Sequence, residues 1–426
     1  MQNIHEHFCL FSIYIESIVF RYPDVKCYIY TGDVDATPEE ILRKANDRFN
    51  VVLNRPVEFI FLNCRKLVEA KSYPFLTLLM QSIGSIFLGG EALSKLKPDI
   101  YIDTMGYAFT YPLFRFIAGS KVASYTHYPT ISTDMLNLVF NRVQAHNNRG
   151  FIASSSVLSF LKLIYYYIFT FFYFLAGQSA NVVMVNSTWT FGHIDALWRK
   201  GNSTKIVYPP CDTTKFKSIE LIPNQEKAIK SIVSIGQFRP EKNHVLQLES
   251  FRKLLDILND EEKENVRLVL VGGCRNEEDQ MRVDELKNLS SSLNLDDKII
   301  WKLNAPFREL LNCVRDGVIG LHTMWNEHFG ICIVECMAGG LIMVANDSGG
   351  PKLDILKDYE GERTGYLASD VDSYSRAFRN ILRKSDSEIQ QIQERARSYV
   401  STFSDEKFET KFLDCCECLF SSIQRE

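Results

Sequence analysis

Short runs of consecutive apolar residues recur along the chain, and longer stretches with helical character separate them. Strands that are covered on both faces read as continuous apolar runs rather than as an alternation of apolar and polar residues. Helices between such strands provide the right-handed crossover connections that parallel strands need. The pattern therefore predicts an α/β protein with parallel sheets covered by helices.

Ten of these runs fall into two groups, which predicts two doubly wound domains, and a length of 426 residues suits two or three domains. The first group is Val25–Thr31, Ile100–Asp103, Lys121–Thr126, Val182–Asn186 and Ile206–Tyr208. The second group is Ser231–Ile235, Arg267–Val271, Lys298–Trp301, Val318–Leu321 and Ile342–Ala345. Two prolines in Tyr208–Cys211 stop a strand, so the predicted domains are residues 1–211 and residues 212–404.

The composition excludes several classes of protein. Apolar residues make up 46% and charged residues 23%, which is ordinary for a soluble globular chain and excludes disordered, collagen-like and polytopic membrane proteins. A net charge of -4 gives no electrostatic footprint for nucleic acid. Residues 1–211 carry +4 and the remainder -8. Either the two halves bind different partners, or this asymmetry has no function.

The cysteines and the N-terminus give two further expectations. The eleven cysteines form no pair of CxxC units, and the cluster near the C-terminus has no histidine at ligand spacing, so no metal site is expected. Reduced thiols in a reducing compartment fit this odd number. The apolar run Phe8–Phe20 is interrupted by Glu16, and no lysine or arginine precedes Arg21, so it is not predicted to be a signal peptide.

Val157–Gly177 is the one apolar run that approaches membrane-spanning length, with nine aromatic residues between Phe160 and Phe174. A spanning helix needs about 20 apolar residues. Tyrosines and a single lysine, Lys162, suit an interface better than a bilayer centre. A helix lying in the membrane interface is therefore predicted, with a core helix or a spanning helix as alternatives. The shorter run Phe75–Leu88 is either core or a second membrane contact.

The stretch Trp325–Gly340 reads WNEHFGICIVECMAGG and follows a predicted strand. Its two final glycines are a helix stop. A helix that begins near Phe329 has unpaired first amides and a positive dipole at that end, which suits a diphosphate. The amides of Phe329, Gly330 and Ile331 are therefore candidate anion ligands.

Two glutamates frame this stretch. Glu327 precedes the predicted helix and Glu335 follows eight residues later. Eight helical residues rise roughly 12 Å, about the distance from a donor sugar across its diphosphate to the ribose. Glu327 is therefore predicted to accept hydrogen bonds from sugar hydroxyls, and Glu335 from the ribose hydroxyls. The alternative is a pair of ordinary exposed glutamates, which the apolar flanking residues disfavour.

The stretch Ser234–His244, SIGQFRPEKNH, places two cations after the first strand of the second half. Gly236 is predicted to permit a tight turn, after which Arg239 and Lys242 follow. Ligands of open parallel sheets bind beyond the carboxyl ends of the strands. The two cations are therefore predicted to stabilise a leaving nucleoside diphosphate. The alternative is a solvated turn in which the lysine pairs with Glu241.

Two other strand ends carry polar groups. In Ser124–Thr130, SYTHYPT, His127 is predicted to bond a phosphate oxygen or a sugar hydroxyl, although a lone histidine is usually structural. In Asp347–Pro351, DSGGP, the amides of Gly349 and Gly350 are predicted either to bind an anion or to form a plain loop.

Together these residues resemble the retaining GT-B glycosyltransferases, whose hallmark is two glutamates separated by seven residues, here Glu327 and Glu335. The closer resemblance is to the eukaryotic dolichol-pathway α-1,2-mannosyltransferases, from about Tyr22 to the C-terminus. Five segments carry it: GDVDATPEEIL, SYTHYPTISTDML, GQFRPEKNH, HTMWNEHFGICIVECMAGG and SGGPKLDI.

The resemblance implies two Rossmann-like domains facing a cleft, with the acceptor on the first and GDP-mannose on the second. It implies that a last helix, Asp405–Ser421, packs back on the first domain. It also implies that Glu327, His127 and Lys242 are catalytic, with Arg239 a weaker match to the family's phosphate-binding arginine. No metal or other cofactor is expected.

The implied reaction adds the fourth and fifth mannoses to a dolichol-diphosphate oligosaccharide on the cytosolic face of the endoplasmic reticulum. Other dolichol-pathway mannosyltransferases are candidate partners. The family's usual opening, an anchor, a strand and a glycine-rich loop, is not matched in the first 20 residues, which contain no glycine. The alternatives are another nucleotide-sugar transferase of the group, or an inactive nucleotide-sugar-binding form without that loop.

Overall fold

The computed structural model describes residues 18–49, 57–140, 156–223 and 226–423. Two compact units make up the chain: residues 1–208 with residues 408–426, and residues 209–407. The predicted boundaries, 211/212 and 404/405, lie three residues from these positions. Most of the run Phe8–Phe20 lies outside the described residues.

The first unit contains two parallel sheets. Strands β1 (Tyr28–Thr31) and β2 (Glu58–Phe61) pair with each other. The other four strands form a sheet in sequence order: β3 (Ile100–Asp103), β4 (Lys121–Thr126), β5 (Val182–Val185) and β6 (Thr204–Ile206). Among the described residues β1 pairs only with β2, so the predicted strands of this unit are divided between two sheets. The prediction missed β2 and placed β6 two residues too late.

Five helices of the first unit connect these strands: α1 (Pro38–Phe49), α2 (Thr77–Lys95), α3 (Thr133–Phe140), α4 (Ser156–Gln178) and α5 (Thr188–Trp198). Short 3₁₀ and π turns cover Asn63–Val68, Ala70–Ser72, Ala108–Thr110 and Leu113–Ala118. One face of the four-stranded sheet packs on α2, α4 and α5 through a core that includes Val122, Val183, Tyr173 and Trp198.

The second unit has one six-stranded parallel sheet. Its strands are β7 (Lys230–Ile235), β8 (Val266–Gly272), β9 (Ile299–Leu303), β10 (Gly317–His322), β11 (Ile342–Asn346) and β12 (Tyr366–Ala368). Their spatial order is β12-β11-β10-β7-β8-β9. The chain therefore winds outward in one direction from β7 and in the other from β10, which is the doubly wound Rossmann order.

Eight helices surround this sheet: α6 (Thr213–Lys217), α7 (His244–Ile257), α8 (Asp260–Glu264), α9 (Glu277–Ser292), α10 (Phe307–Asp316), α11 (Ile331–Ala338), α12 (Val371–Leu382) and α13 (Asp386–Tyr399). Short turns occupy Pro240–Lys242, Pro351–Ile355 and Val400–Phe403. The core between sheet and helices includes Ile232, Leu268, Phe251, Phe378 and Ile319.

The last helix, α14 (Asp405–Ile423), packs on the first unit. Phe408, Phe412 and Cys416 recur every four residues and so lie on one face of the helix. They are buried against Tyr125 of β4 and Met184 of β5. This face covers the side of the four-stranded sheet opposite to α4.

The helix α4 contains the predicted segment Val157–Gly177 and has two unlike faces. Tyr166, Phe169 and Tyr173 are buried in the core of the first unit. Large apolar side chains on the other face are exposed: Phe160, Leu161, Ile164, Tyr167, Ile168, Phe171, Phe172 and Leu175. Within the described ranges, this is the one helix whose length and composition would suit a membrane span.

The helix α2 contains most of Phe75–Leu88, and in this part of it several large apolar residues are exposed while small residues are buried. It buries small residues, among them Ser82, Gly84 and Ser85, and exposes Ile83 and Phe87. A Cβ atom at Gly84 would lie 1.9 Å from the backbone oxygen of Leu67, so only glycine allows this close packing. The close approach is limited to this part of the helix, because Leu88 and Leu93 further along are buried in the core.

Candidate active site

Two loops meet at the centre of the second unit, beyond the carboxyl ends of the adjacent strands β7 and β10. At this position the winding direction of the sheet changes, and in open α/β sheets this switch point is where ligands bind. Lys242 lies in the loop after β7, and Glu327 lies in the loop after β10. Two residues predicted from separate motifs are therefore neighbours in the structure.

Lys242 and Glu327 form an ion pair. The Lys242 Nζ atom donates to the Glu327 Oε2 atom at 2.6 Å. His322, the last residue of β10, contacts the same oxygen, with 3.1 Å between its Nε2 atom and Oε2. The carboxylate thus has one cationic and one imidazole neighbour on a single oxygen.

Burial and the neighbouring groups act in opposite directions on this carboxyl. Burial by itself raises the pKa of Glu327, but the Lys242 charge and the His322 hydrogen bond outweigh it and set the pKa well below its ordinary value. Burial also lowers the pKa of His322. Near neutral pH, Glu327 is therefore ionised and His322 is neutral.

Thr323 joins the two loops. Its hydroxyl donates to the Lys242 backbone oxygen at 2.7 Å and accepts a hydrogen bond from the Gln247 Nε2 atom at 2.9 Å. Because Thr323 is 1% exposed, this hydrogen bond is shielded from water. The Lys242 backbone is thereby held next to the strand that carries His322.

The loop after β11 holds the backbone of Glu327. The Gly350 amide donates to the Glu327 backbone oxygen at 2.7 Å, and the Asn326 amide donates to the Ser348 hydroxyl at 2.8 Å. Gly349 has φ +57°, and a Cβ atom there would lie 2.3 Å from the Glu327 oxygen. The predicted anion-binding role was wrong for Gly350, because its amide already donates within the protein.

The helix after Glu327 begins later than predicted. Gly330 is its N-cap residue with φ +109°, and α11 runs from Ile331 to Ala338. The expected rise of roughly 12 Å between Glu327 and Glu335 does not apply, because the residues before Ile331 are not helical. Glu335 is half-buried on α11. The ring of Phe329 is buried against Phe403 with 5.3 Å between centroids, so only its backbone amide remains a candidate ligand.

The loop after β7 differs from the prediction in two details. Arg239, not the lysine, lies beside Glu241, with 3.7 Å between their charged atoms. Gly236 has no positive φ, and a Cβ atom there would make only ordinary contacts, so the predicted tight turn does not require glycine at this position. The required glycine is Gly272 of β8, whose Cβ would lie 2.2 Å from the Gly236 oxygen.

His127 lies in the first unit, directly after β4. Its ring is half-buried and packs edge to face on Tyr125, with 4.8 Å between ring centroids. Its backbone oxygen accepts a hydrogen bond from the Thr190 hydroxyl at 3.3 Å. The strand-tip position that was predicted for His127 is therefore correct, whereas its contact with a substrate stays a prediction.

Sequence reasoning missed His322 and Thr323. Both lie next to the predicted strand Val318–Leu321, and a polar pair directly after a buried strand is a signal that could have identified them.

Comparison with known proteins gives two family matches. The family described as ALG11 mannosyltransferase N-terminus matches residues 10–198, and that described as glycosyl transferases group 1 matches residues 214–399. Sucrose-phosphate synthase from Thermosynechococcus elongatus superimposes with a TM-score of 0.66 at 16% identity, covering 98% of this chain and 94% of its own. Together they assign the chain to the GT-B fold class.

Two curated relatives carry the same name, GDP-Man:Man(3)GlcNAc(2)-PP-Dol alpha-1,2-mannosyltransferase. The Xenopus laevis protein is 52% identical over 95% of this chain and 83% of its own length. The Homo sapiens protein is 52% identical over 94% of this chain and 81% of its own length. With this identity over nearly the whole length, the chain belongs to the GDP-Man:Man(3)GlcNAc(2)-PP-Dol alpha-1,2-mannosyltransferase family.

Proposed function

We propose that this protein transfers mannose from GDP-mannose to a dolichol-diphosphate-linked oligosaccharide in α-1,2 linkage, as the names of its relatives state for them. The observation that carries the proposal is the 52% identity to those enzymes. The Lys242–Glu327 pair at the switch point of the second unit supports it, because a nucleotide sugar needs both a cation for its phosphates and an acceptor for its hydroxyls.

The site residues have separate proposed roles. Lys242 and Arg239 bind the diphosphate together with the backbone of Gly236 and the amides of Phe329, Gly330 and Ile331. Glu327 accepts hydrogen bonds from the mannose hydroxyls, and Glu335 accepts them from the ribose.

The reaction needs no covalent nucleophile in this proposal. The acceptor hydroxyl attacks on the face from which the diphosphate leaves, and a phosphate oxygen takes its proton. His127 bonds a donor phosphate oxygen or a sugar hydroxyl. No metal takes part, since the cations and helix amides hold the charge of the leaving group.

Transfer assays on the purified full chain in lipid or detergent test the activity. With a synthetic trimannosyl-chitobiosyl diphosphate lipid, we expect product from GDP-mannose, none from UDP-glucose, and the same rate when EDTA is present. The product should lose its new mannoses to an α-1,2-mannosidase. GDP binding without any transfer would contradict the proposal and favour a nucleotide-sugar-binding form. Loss of activity in EDTA that added Mg²⁺ restores would contradict the metal-free reaction.

We also propose that the first unit docks on the cytosolic face of the endoplasmic reticulum membrane through α4 and α2. The exposed apolar side chains of α4 form one stripe along the helix. The Leu79 amide of α2 donates to the Tyr165 hydroxyl of α4 at 3.1 Å, so the two helices adjoin. Because the inner face of α4 is buried in protein, this helix is suited to lie in the interface and not to cross the bilayer.

Replacing Tyr167, Phe171 and Phe172 with serine is expected to release most of the protein from microsomes into the supernatant. Each exposed aromatic ring that leaves the membrane loses roughly 1.5–3 kcal/mol of apolar burial. Flotation of vesicles on a density gradient measures the bound fraction. The exposed apolar residues Met281 and Phe307 of the second unit provide the matched control, and their replacement by serine should leave binding unchanged.

Two outcomes would contradict the docking proposal. One is a triple variant that stays bound while its melting temperature is unchanged. The other is glycosylation at Asn202 in microsomes, because this exposed Asn-Ser-Thr site follows α4 and would then lie in the lumen.

A further inference from the structure

His322 has no role in the reaction as proposed so far, although it is one of the most buried polar residues of the second unit, at 3% exposed. It ends the central strand β10, and its backbone oxygen accepts a hydrogen bond from the Tyr374 hydroxyl at 2.9 Å. Its ring is therefore carried by a strand whose end is fixed on both sides, by Thr323 and by Tyr374.

The contact with Glu327 defines the protonation of the ring. A carboxylate only accepts hydrogen bonds, so the His322 Nε2 atom must carry the proton. The Nδ1 atom is buried and has no hydrogen-bond partner among the described residues. The only function that the described contacts give this imidazole is thus to donate one hydrogen bond to Glu327 Oε2.

Lys242 donates to the same oxygen but is placed differently. Its side chain is 23% exposed, against 4% for His322, and it extends from a loop. In the proposed function, Lys242 binds the donor diphosphate. An ammonium group that turns toward a diphosphate gives up at least part of its contact with the carboxylate, so the carboxylate would then depend on its second donor.

We propose that His322 is a positioning residue that holds Glu327 Oε2 in place when Lys242 moves to the donor diphosphate. The Oε1 atom, which accepts a hydrogen bond from the His328 amide at 3.2 Å, then also accepts from the mannose hydroxyls. This inference rests on the proposed function, because it assumes that Glu327 binds the sugar. A neutral donor suits the role, since it orients the carboxylate without neutralising the negative charge with which Glu327 accepts hydrogen bonds from the sugar.

Two substitutions of His322 test this proposal, because each introduces a side-chain amide but places it at a different distance from the backbone. In His322→Gln the side-chain amide reaches the place of Nε2 and can donate to Glu327, whereas in His322→Asn it ends near the place of Nδ1. We expect His322→Gln to keep kcat within about threefold of the unaltered protein. We expect His322→Asn to lower kcat about 10- to 100-fold, the range for a lost hydrogen bond to a charged group. GDP affinity should stay the same in both, because GDP lacks the mannose that Glu327 is proposed to hold.

The same assay on Glu327→Gln distinguishes failure of the proposed role of Glu327 from failure of the positioning role of His322. If Glu327→Gln retains full transfer, the proposed role of Glu327 is wrong. If Glu327→Gln is inactive while His322→Asn and His322→Gln are equally active, only the positioning role is overturned. Parallel loss of kcat and GDP affinity in both His322 variants would overturn it as well, because general damage to the site would explain it. In the Glu327→Gln background, His322→Asn should cause no further loss, as expected for residues that act together.

Discussion

Replacing Glu327 with Gln is expected to lower the rate of mannose transfer about 100- to 1,000-fold, with the affinity for GDP changed less than about threefold. The substitution keeps the size of the side chain but removes the charge that Lys242 and His322 contact. A preorganised charge in a buried site contributes this much when it acts mainly in the transition state. Single-turnover rates with GDP-mannose and titration calorimetry with GDP measure the two quantities.

Glu335 is the internal comparison for this experiment. It lies half-buried on α11, and its proposed partners are the ribose hydroxyls. Glu335→Ala is expected to weaken GDP binding about tenfold or more, because hydrogen bonds to a charged group are lost in the nucleotide complex itself. An equal loss of GDP affinity in both variants would refute the division of roles between the two glutamates.

The inner strands of the second unit were predictable because helices cover both of their faces. β8, β10 and β11 are mostly apolar, β7 contains the buried apolar pair Ile232 and Val233, and each of the four overlaps a predicted run. β12 was missed because it is an edge strand of three residues, and an apolar run as short as Tyr366–Ala368 does not stand out in the sequence. β2 is likewise short, since its apolar part is only Phe59–Phe61 and it begins with the exposed Glu58.

The approximate location of the site was also predictable, since the carboxyl ends of adjacent parallel strands lie at one edge of a sheet. The side chains that the site residues contact were not predictable from the sequence. Sequence neighbours made Glu241 the natural partner of the loop lysine, whereas Lys242 pairs with Glu327, which is 85 residues away. The packing of Gly350 against Phe329 likewise depends on the tertiary structure, because it joins loops from two different strands.

Replacing Lys242 with Ala is expected to lower kcat for mannose transfer about 100- to 1,000-fold and to change the KM for GDP-mannose much less. The negative charge on the leaving diphosphate grows as the bond to the sugar breaks, so a cation that contacts it contributes more in the transition state than in the bound donor. Among the described residues, the loss of Lys242 also leaves His322 as the one remaining side-chain donor to the Glu327 Oε2 atom. His127→Ala is expected to raise the Kd for the donor. That fold-change should be smaller than the fold-change by which Lys242→Ala lowers kcat.

Lys384 provides a matched control for this substitution. Its side chain is 24% exposed, against 23% for Lys242, and it pairs with Glu388 at 2.7 Å, against 2.6 Å for the pair in the site. Lys384 follows α12, whereas the proposed site lies beyond the carboxyl ends of β7 and β10. Lys384→Ala should therefore transfer mannose at the normal rate, and any general effect of removing a half-buried lysine would appear in both variants. If Lys242→Ala also transfers at the normal rate, the loop after β7 does not bind the diphosphate. If its KM rises while kcat is unchanged, Lys242 binds the donor equally well in the ground state and the transition state, which would contradict its proposed role toward the leaving group.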